Sequence, residues 1–268
     1  MFTKLWGSKH GHDEERQKNA QSIIAKIHSM APMNPEPRIF NWECGLTDEH
    51  MAEGYVAECN KWSEAASQGD WCKVLEIAAE EPDCMERYAN ITRYHRSPID
   101  PSHPPSGRLS PYFHQAASHN APVEVVKALI ELGSFRQLHS TDGKFQRPVD
   151  IAQEKGFTEL VPVLQPPPDL IPYISSQALS RIQTHFEDVV RKEAKSAFKP
   201  ESMRVADLCL LREVETIFMT VPGIYGSFEM RFEGDHLVTR SSCRVVGTGD
   251  ATYHITAEKA TLVQEGWG

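Results

Sequence analysis

The sequence predicts an α+β protein: an α-helical repeat array, then a small domain of helix plus antiparallel β-meander. Three features support this. A helical motif recurs in the middle of the chain, the prolines of Gln165-Pro166-Pro167-Pro168 close it, and apolar and polar residues alternate from Glu215 onward. Helical recurrence indicates a repeat array, and a period of two indicates strands. We therefore divide the chain into residues 1–46, a helix and Pro-rich connection; 47–168, the array; and 169–268, the α+β domain.

Composition excludes several classes of function. The 268 residues carry a formal net charge of −9, which is not the basic footprint that nucleic acid requires. No apolar run has the length of a membrane-spanning helix. The six cysteines show neither C-x-x-C nor zinc-finger spacing, as expected for free thiols in a reducing compartment. We expect a cytoplasmic protein that binds neither nucleic acid nor membranes.

The common phosphate-binding and catalytic motifs are missing from the sequence. There is no G-x-x-x-x-G-K-[ST], no G-x-G-x-x-G after a strand, no H-E-x-x-H and no G-x-S-x-G. Phosphate-driven and zinc-protease chemistry are therefore not expected, and we predict neither a cofactor nor a metal.

Two helices are predicted before the repeats. Residues Glu14 to Met30 place three isoleucines on one stripe, and three prolines between Ala31 and Pro37 end the helix. A second helix is predicted after Thr47, a good N-cap, and extends to about Ser67.

The recurring motif is an alanine followed four positions later by Gly or Asn, at Ala65–Gly69, Ala116–Asn120 and Ala152–Gly156. Gly and Asn readily adopt the left-handed conformation that ends a helix. Each motif therefore predicts a helix, a tight turn and a second helix. The apolar residues of the second helices are Val74, Leu75 and Ile77; Val125, Val126, Leu129 and Ile130; and Leu160, Val161, Val163 and Leu164.

From about Asn60 to Leu164 this pattern resembles the ankyrin repeat, most closely between Ser110 and Gly133. The motif alanines are 51 and 36 residues apart (116 − 65 and 152 − 116), against a family period of about 33, so loops are inserted, the longer one at Ser97 to Gly107. The resemblance implies a fold that mostly binds proteins. It also implies a structural role for His114, which stands where the family has the histidine of Thr-Pro-Leu-His and would bond the loop between repeats. The end of the chain resembles that of bacterial and fungal ankyrin proteins of unassigned activity.

The C-terminal domain is predicted to begin with an amphipathic helix at Ser175 to Phe198 and a second one at Arg204 to Glu213. Strands follow at 217–221, 228–232, 237–246, 252–256 and 261–263. A two-residue hairpin loop at Gly234-Asp235 would place Phe228, Met230, Phe232, Leu237, Thr239, Ser241, Cys243 and Val245 on a core face. The opposite face would hold Glu229, Arg231, His236, Val238, Arg240, Ser242 and Arg244.

The arginines of this second face are candidates for binding an anion. Arg231, Arg240 and Arg244 could hold a carboxylate or phosphate through paired donors. The alternative, which we favour, is a solvent face with cross-strand pairs such as Glu229 with Arg240.

His254 is a further candidate. Strand pairing across Gly247 to Asp250 would place it near Cys243, and a thiol beside an imidazole can be an activated nucleophile. A packed cysteine with a hydrogen-bonded histidine is the simpler interpretation.

Two functions remain open. The array and the missing motifs favour a protein-interaction module or scaffold, whose partner could include a second copy of the chain. The alternative is a small-molecule enzyme with a pocket between the array and the sheet, which catalyses elimination, isomerisation or cyclisation by acid–base chemistry. Its site would contain Tyr225, Glu229, Arg231, Arg244 and His254, with Arg231 as the principal residue.

Overall fold

The computed structural model describes residues 12–29, 39–43, 53–80, 112–140, 144–200, 203–223, 226–243 and 250–266. The chain divides into two compact units. Unit 1 is Met1–Pro35, Glu53–Tyr94 and Pro104–Pro166, and unit 2 is Glu36–Ala52, His95–His103 and Pro167–Gly268. The described part contains eight α-helices and a six-stranded, mostly antiparallel sheet, so the α+β class is confirmed. None of these helices has the length and apolarity needed to cross a membrane.

The described part of unit 1 is helical. Its elements are α1 (His12–Ser29), α2 (Glu53–Ser67), α3 (Trp71–Glu80), α4 (Tyr112–Ser118), α5 (Val123–Glu131), α6 (Pro148–Glu154) and α7 (Val161–Leu164). The predicted first helix and the predicted end of the second at Ser67 are confirmed. Thr47 and the loop Ser97 to Gly107 lie outside the described residues.

The three helix pairs of unit 1 share one turn, as predicted. Gly69, Asn120 and Gly156 have φ of +70°, +51° and +72°. In each turn, the N–H of the following residue donates to the carbonyl oxygen of the motif alanine at 2.9–3.0 Å, as in the Schellman motif. The motif alanines Ala65, Ala116 and Ala152 are at most 5% exposed. Small side chains at these positions therefore let the paired helices approach closely.

Unit 2 contains α8 (Ser176–Ala194), with Ser175 Oγ accepting from the Ala178 N–H as its N-cap. Two short 3₁₀ helices follow at Lys195–Ala197 and Leu208–Arg212. The strands are β1 (Ile39–Glu43), β2 (Thr216–Thr220), β3 (Gly226–Glu233), β4 (His236–Cys243), β5 (Ala251–Ile255) and β6 (Ala260–Glu265), in that order across the sheet. The meander β2–β6 is confirmed.

Two details of unit 2 differ from the sequence prediction. Where a helix was predicted at Arg204 to Glu213, the structure has only the short 3₁₀ helix Leu208–Arg212. Asp207 caps its N-terminus, since the Asp207 side chain accepts a hydrogen bond from the Cys209 N–H. Residues 1–46 were predicted to hold only a helix and a connection, yet β1 lies there and pairs in parallel with β2. Strand β2 is far from β1 in the sequence, so no turn motif between them predicts that the two strands pair.

One face of the sheet, which we call the inner face, forms the core of unit 2. Helix α8 packs against β4, β5 and β6. The rings of Phe186 and Phe228 meet edge to face with centroids 6.5 Å apart, and both are fully buried. The other buried residues of the inner face include Phe40, Trp42, Ile217, Met219, Met230, Leu237, Thr239, Tyr253 and Ile255. The opposite face, which we call the outer face, carries most of the residues singled out from the sequence.

Candidate functional site

The hairpin register that defines the outer face is the predicted one. Glu233 pairs with His236 across the Gly234-Asp235 loop, and Glu229 lies opposite Arg240. Gly234 has a φ of +60°, a conformation that favours glycine at this position of a tight hairpin. The outer face is not wholly polar, because Val238 lies on it and is only 7% exposed, and Phe218 of β2 lies on it opposite Glu229.

Arg231 forms ion pairs with carboxylates of its own strand. Its guanidinium donates to Glu229 Oε1 at 2.9 Å and to Glu233 Oε1 at 2.6 Å. These contacts, the hydrogen bond to Glu233 first, raise the pKa of Arg231 above its ordinary value. The Arg231 side chain is 45% exposed, so its ion pairs lie in contact with water. Arg231 is therefore not a buried charge that would need a ligand to balance it.

Arg240 also has a carboxylate partner in the chain. Its backbone lies opposite Glu229, as predicted, but its guanidinium donates to Asp250 Oδ2 at 3.0 Å. Both described arginines of the outer face are therefore engaged with acids, which corresponds to the solvent-face interpretation. Tyr225 and Arg244 lie outside the described residues.

The prediction that His254 lies near Cys243 is wrong. His254 lies opposite Val238, whereas Cys243 lies opposite Gly226 at the far end of β4. The connection from β4 to β5 is longer than the predicted turn, because Ser241 pairs with Ala251. The observed β4–β5 register therefore differs from the predicted one by an odd number of residues, and an odd shift moves each side chain to the other face of the sheet. His254 consequently lies on the outer face with Glu229 and Arg231. Arg231 and His254 flank Val238, two strand spacings or about 10 Å apart.

The actual neighbour of His254 is His236. The two imidazole centroids are 4.5 Å apart with 37° between the ring planes. His236 Nδ1 lies 3.2 Å from Asp235 Oδ1. Its Nε2 is buried and has no hydrogen-bond partner within the part of the chain that the structure describes. Sequence analysis placed His236 on this face but did not pair it with His254, since a separation of 18 positions (254 − 236) resembles no known ligand spacing.

A second candidate site lies in unit 1, in the segment 132–147 between α5 and α6. His114 of α4 holds this segment at two points, since its Nε2 lies 2.9 Å from Leu138 O and 3.1 Å from Gln146 O. His114 is 1% exposed. The loop-bonding role predicted for His114 is therefore confirmed.

The two sides of this segment are also bonded to each other. The Ser140 N–H donates to Gln146 O at 2.8 Å, and the Gln146 N–H donates to Ser140 Oγ at 3.0 Å. At its C-terminal end, the Arg147 N–H donates to Asp150 Oδ2 at 2.9 Å and closes the first turn of α6. Burial alone would raise the pKa of Asp150, but the hydrogen bonds from Arg147 outweigh it and lower the pKa.

Phe145 extends into solvent from the part of the segment that these hydrogen bonds hold in place, which we call the fixed base. Phe145 is 71% exposed, the largest exposure among the described large apolar side chains, and its φ is +52°. A left-handed conformation costs an L-residue other than Gly roughly 1–2 kcal/mol. Sequence analysis missed Phe145 because a single aromatic residue near Asp142-Gly143 carries no periodic signal.

Comparison of the chain with protein-family models, curated proteins and solved structures finds no match.

Proposed function

We propose that unit 1 is an ankyrin-like array that acts as a protein-interaction module, with Phe145 as the anchor that enters an apolar pocket on a partner protein. The observation that carries this proposal is an exposed aromatic ring in a strained backbone conformation on a fixed base. Aromatic anchors of this kind dominate the energy of many interfaces.

The fixed base lowers the entropic cost of binding. His114, Ser140 and Gln146 bond the two sides of the segment before any partner arrives. A pre-organised anchor loses less conformational freedom on association than a flexible one.

The strain at Phe145 supports a role in binding rather than in folding. A glycine here would relieve the left-handed backbone, and a polar residue would avoid exposing an aromatic ring to water. Strained residues are concentrated at functional sites, where the surrounding structure offsets their cost. The shared helix turns and the His114 contacts support the ankyrin-like assignment of the scaffold.

The enzyme considered from the sequence has less support. Arg231 and Arg240 are engaged with carboxylates, and His254 is 10 Å or so from Arg231, counted in strand spacings. This arrangement leaves no convergent acid–base set among the described residues of the outer face.

The test uses a photo-reactive phenylalanine analogue at position 145, cross-linked in cells. The matched control carries the analogue at Tyr173, which is 57% exposed in unit 2. We expect one partner to cross-link from position 145 and not from 173. The purified partner is then titrated against the wild type, Phe145→Ala and Phe145→Gly.

The two variants separate binding from folding. Both should weaken the partner's affinity at least tenfold, which is about 1.4 kcal/mol. Phe145→Gly should at the same time raise the free energy of unfolding by about 1 kcal/mol, because glycine adopts φ of +52° without strain. Unchanged affinity in both variants would contradict the proposal, and so would cross-links that form only with a second copy of this chain.

A further inference from the structure

We propose that His236 and His254 form a binding site for a divalent transition-metal ion that prefers imidazole nitrogen, Zn²⁺ in particular. The site lies on the outer face of unit 2 and is independent of the interaction proposed for unit 1. Imidazole suits Zn²⁺, Cu²⁺ and Ni²⁺ much better than it suits Mg²⁺ or Ca²⁺.

The hydrogen bonding of His236 prepares one ligand atom. An ionised carboxylate only accepts hydrogen bonds, so the contact with Asp235 places the proton on Nδ1. Nε2 then presents its lone pair. A carboxylate that orients a histidine through its other ring nitrogen is the usual outer shell of a metal-binding histidine.

The surroundings of Nε2 indicate a missing partner. This atom is buried, and the described residues offer it no hydrogen bond. A buried polar atom without a partner costs free energy, and a bound ion is one of the accepted explanations for such an atom.

The spacing of the two rings fits a shared ion. With metal–nitrogen bonds of about 2.0 Å in a tetrahedral site, the centroids of two imidazoles lie about 5 Å apart. The observed centroids are 4.5 Å apart, which is close to this spacing. Val238, opposite His254 and nearly buried, gives the pair an apolar support.

Two imidazoles supply only two of the ligands that Zn²⁺ takes, so water would fill the remaining coordination positions. An ion here would join β4 to β5 through their side chains, in addition to the backbone pairing. The two ligands come from neighbouring strands, which explains why no motif in the sequence indicates the site.

The test is a calorimetric titration of the metal-free full chain with Zn²⁺. All proteins carry His10→Ala and His12→Ala, which removes the two histidines that lie closest together in the sequence. We expect a single equivalent in this background and none after His236→Phe or His254→Phe, which keep a flat ring but remove the ligand nitrogens. His185→Phe, on α8 of the same unit, should keep the equivalent. Circular dichroism establishes that each variant is folded.

Two further measurements keep the proposal testable if one of the phenylalanine variants fails to fold. Asp235→Asn keeps both imidazoles and should weaken Zn²⁺ about tenfold without changing the stoichiometry, since outer-shell changes typically cost 10–100-fold and Asp235 is 93% exposed. With Cu²⁺, electron paramagnetic resonance should show coupling to two imidazole nitrogens, and to one fewer in each histidine variant. Absence of a bound equivalent in the parent protein, or its persistence in either phenylalanine variant, would overturn the proposal.

Discussion

Arg231 lies between Glu229 and Glu233 on the exposed side of β3, and its energetic role follows from that exposure. Exposed ion pairs contribute about 0–1 kcal/mol, because water screens the charges and side-chain entropy opposes the contact. We expect Arg231→Ala to lower the free energy of unfolding by no more than about 1 kcal/mol in a urea titration. Arg231→Lys should recover part of that loss. A loss near 3 kcal/mol would instead indicate a buried charge left without its partner.

Asp150 should make the stability of unit 1 depend on pH. Its pKa is lowered in the folded chain, so its contribution is present above the unfolded pKa, near 3.9, and is lost as the pH falls through the lower folded value. We expect Asp150→Asn to flatten the fall in unfolding free energy below about pH 4. Urea titrations across that range measure it. Asp188→Asn, whose side chain is 66% exposed, is the control and should keep the slope of the wild type.

At the same scale, the candidate residues show what a sequence can predict. The hairpin around Gly234 was predictable because a two-residue loop fixes the register of β3 and β4. The position of His254 was not, because the longer β4–β5 connection leaves the register open and a shift of one residue changes the face. The His236–His254 contact depends on that second register.

At the scale of elements, the helix turns of unit 1 depend on their left-handed residues. Gly156 tests this cleanly, because a Cβ placed there meets nothing within 4 Å and the only cost is the backbone at φ +72°. We expect Gly156→Ala to lower the free energy of unfolding by about 1–2 kcal/mol. Asn120→Gly at the equivalent turn should leave it unchanged or raise it. Thermal and urea denaturation of both variants measure the difference, and equal effects of the two substitutions would show that turn conformation is not the cause.

These turns were predictable because each is local: an alanine and a glycine or asparagine four residues later describe the whole motif. The strands of the meander were predictable for the same reason, since each pairs with the next one along the chain. Strand β1 alternates Phe40 and Trp42 with polar residues, but its partner β2 lies some 170 residues later. Four alternating residues with no neighbouring turn do not distinguish such a strand from a connection.

At the scale of the whole molecule, the two units are not consecutive segments of the chain. Strand β1 belongs to unit 2, although most of unit 1 follows β1 in the sequence and precedes the other strands of unit 2. Within unit 2, Trp42 is buried, donates from Nε1 to Arg204 O at 2.9 Å and lies under the Arg204 guanidinium at 5.3 Å. Removing β1 therefore removes part of the core of unit 2 and leaves β2 as an unpaired edge.

Two truncations isolate this effect. Deletion of residues 1–35 removes α1 from unit 1 but keeps β1, whereas deletion of residues 1–46 removes both. We expect the backbone amides of β2, Thr216–Thr220, to remain protected in the first truncation and to exchange much faster in the second, as measured by hydrogen–deuterium exchange with mass spectrometry. The first truncation controls for the loss of α1, because the two proteins differ only in residues 36–46. Equal exchange at β2 in both would mean that the C-terminal segment folds without β1, as expected if residues 1–46 were only a helix and a connection.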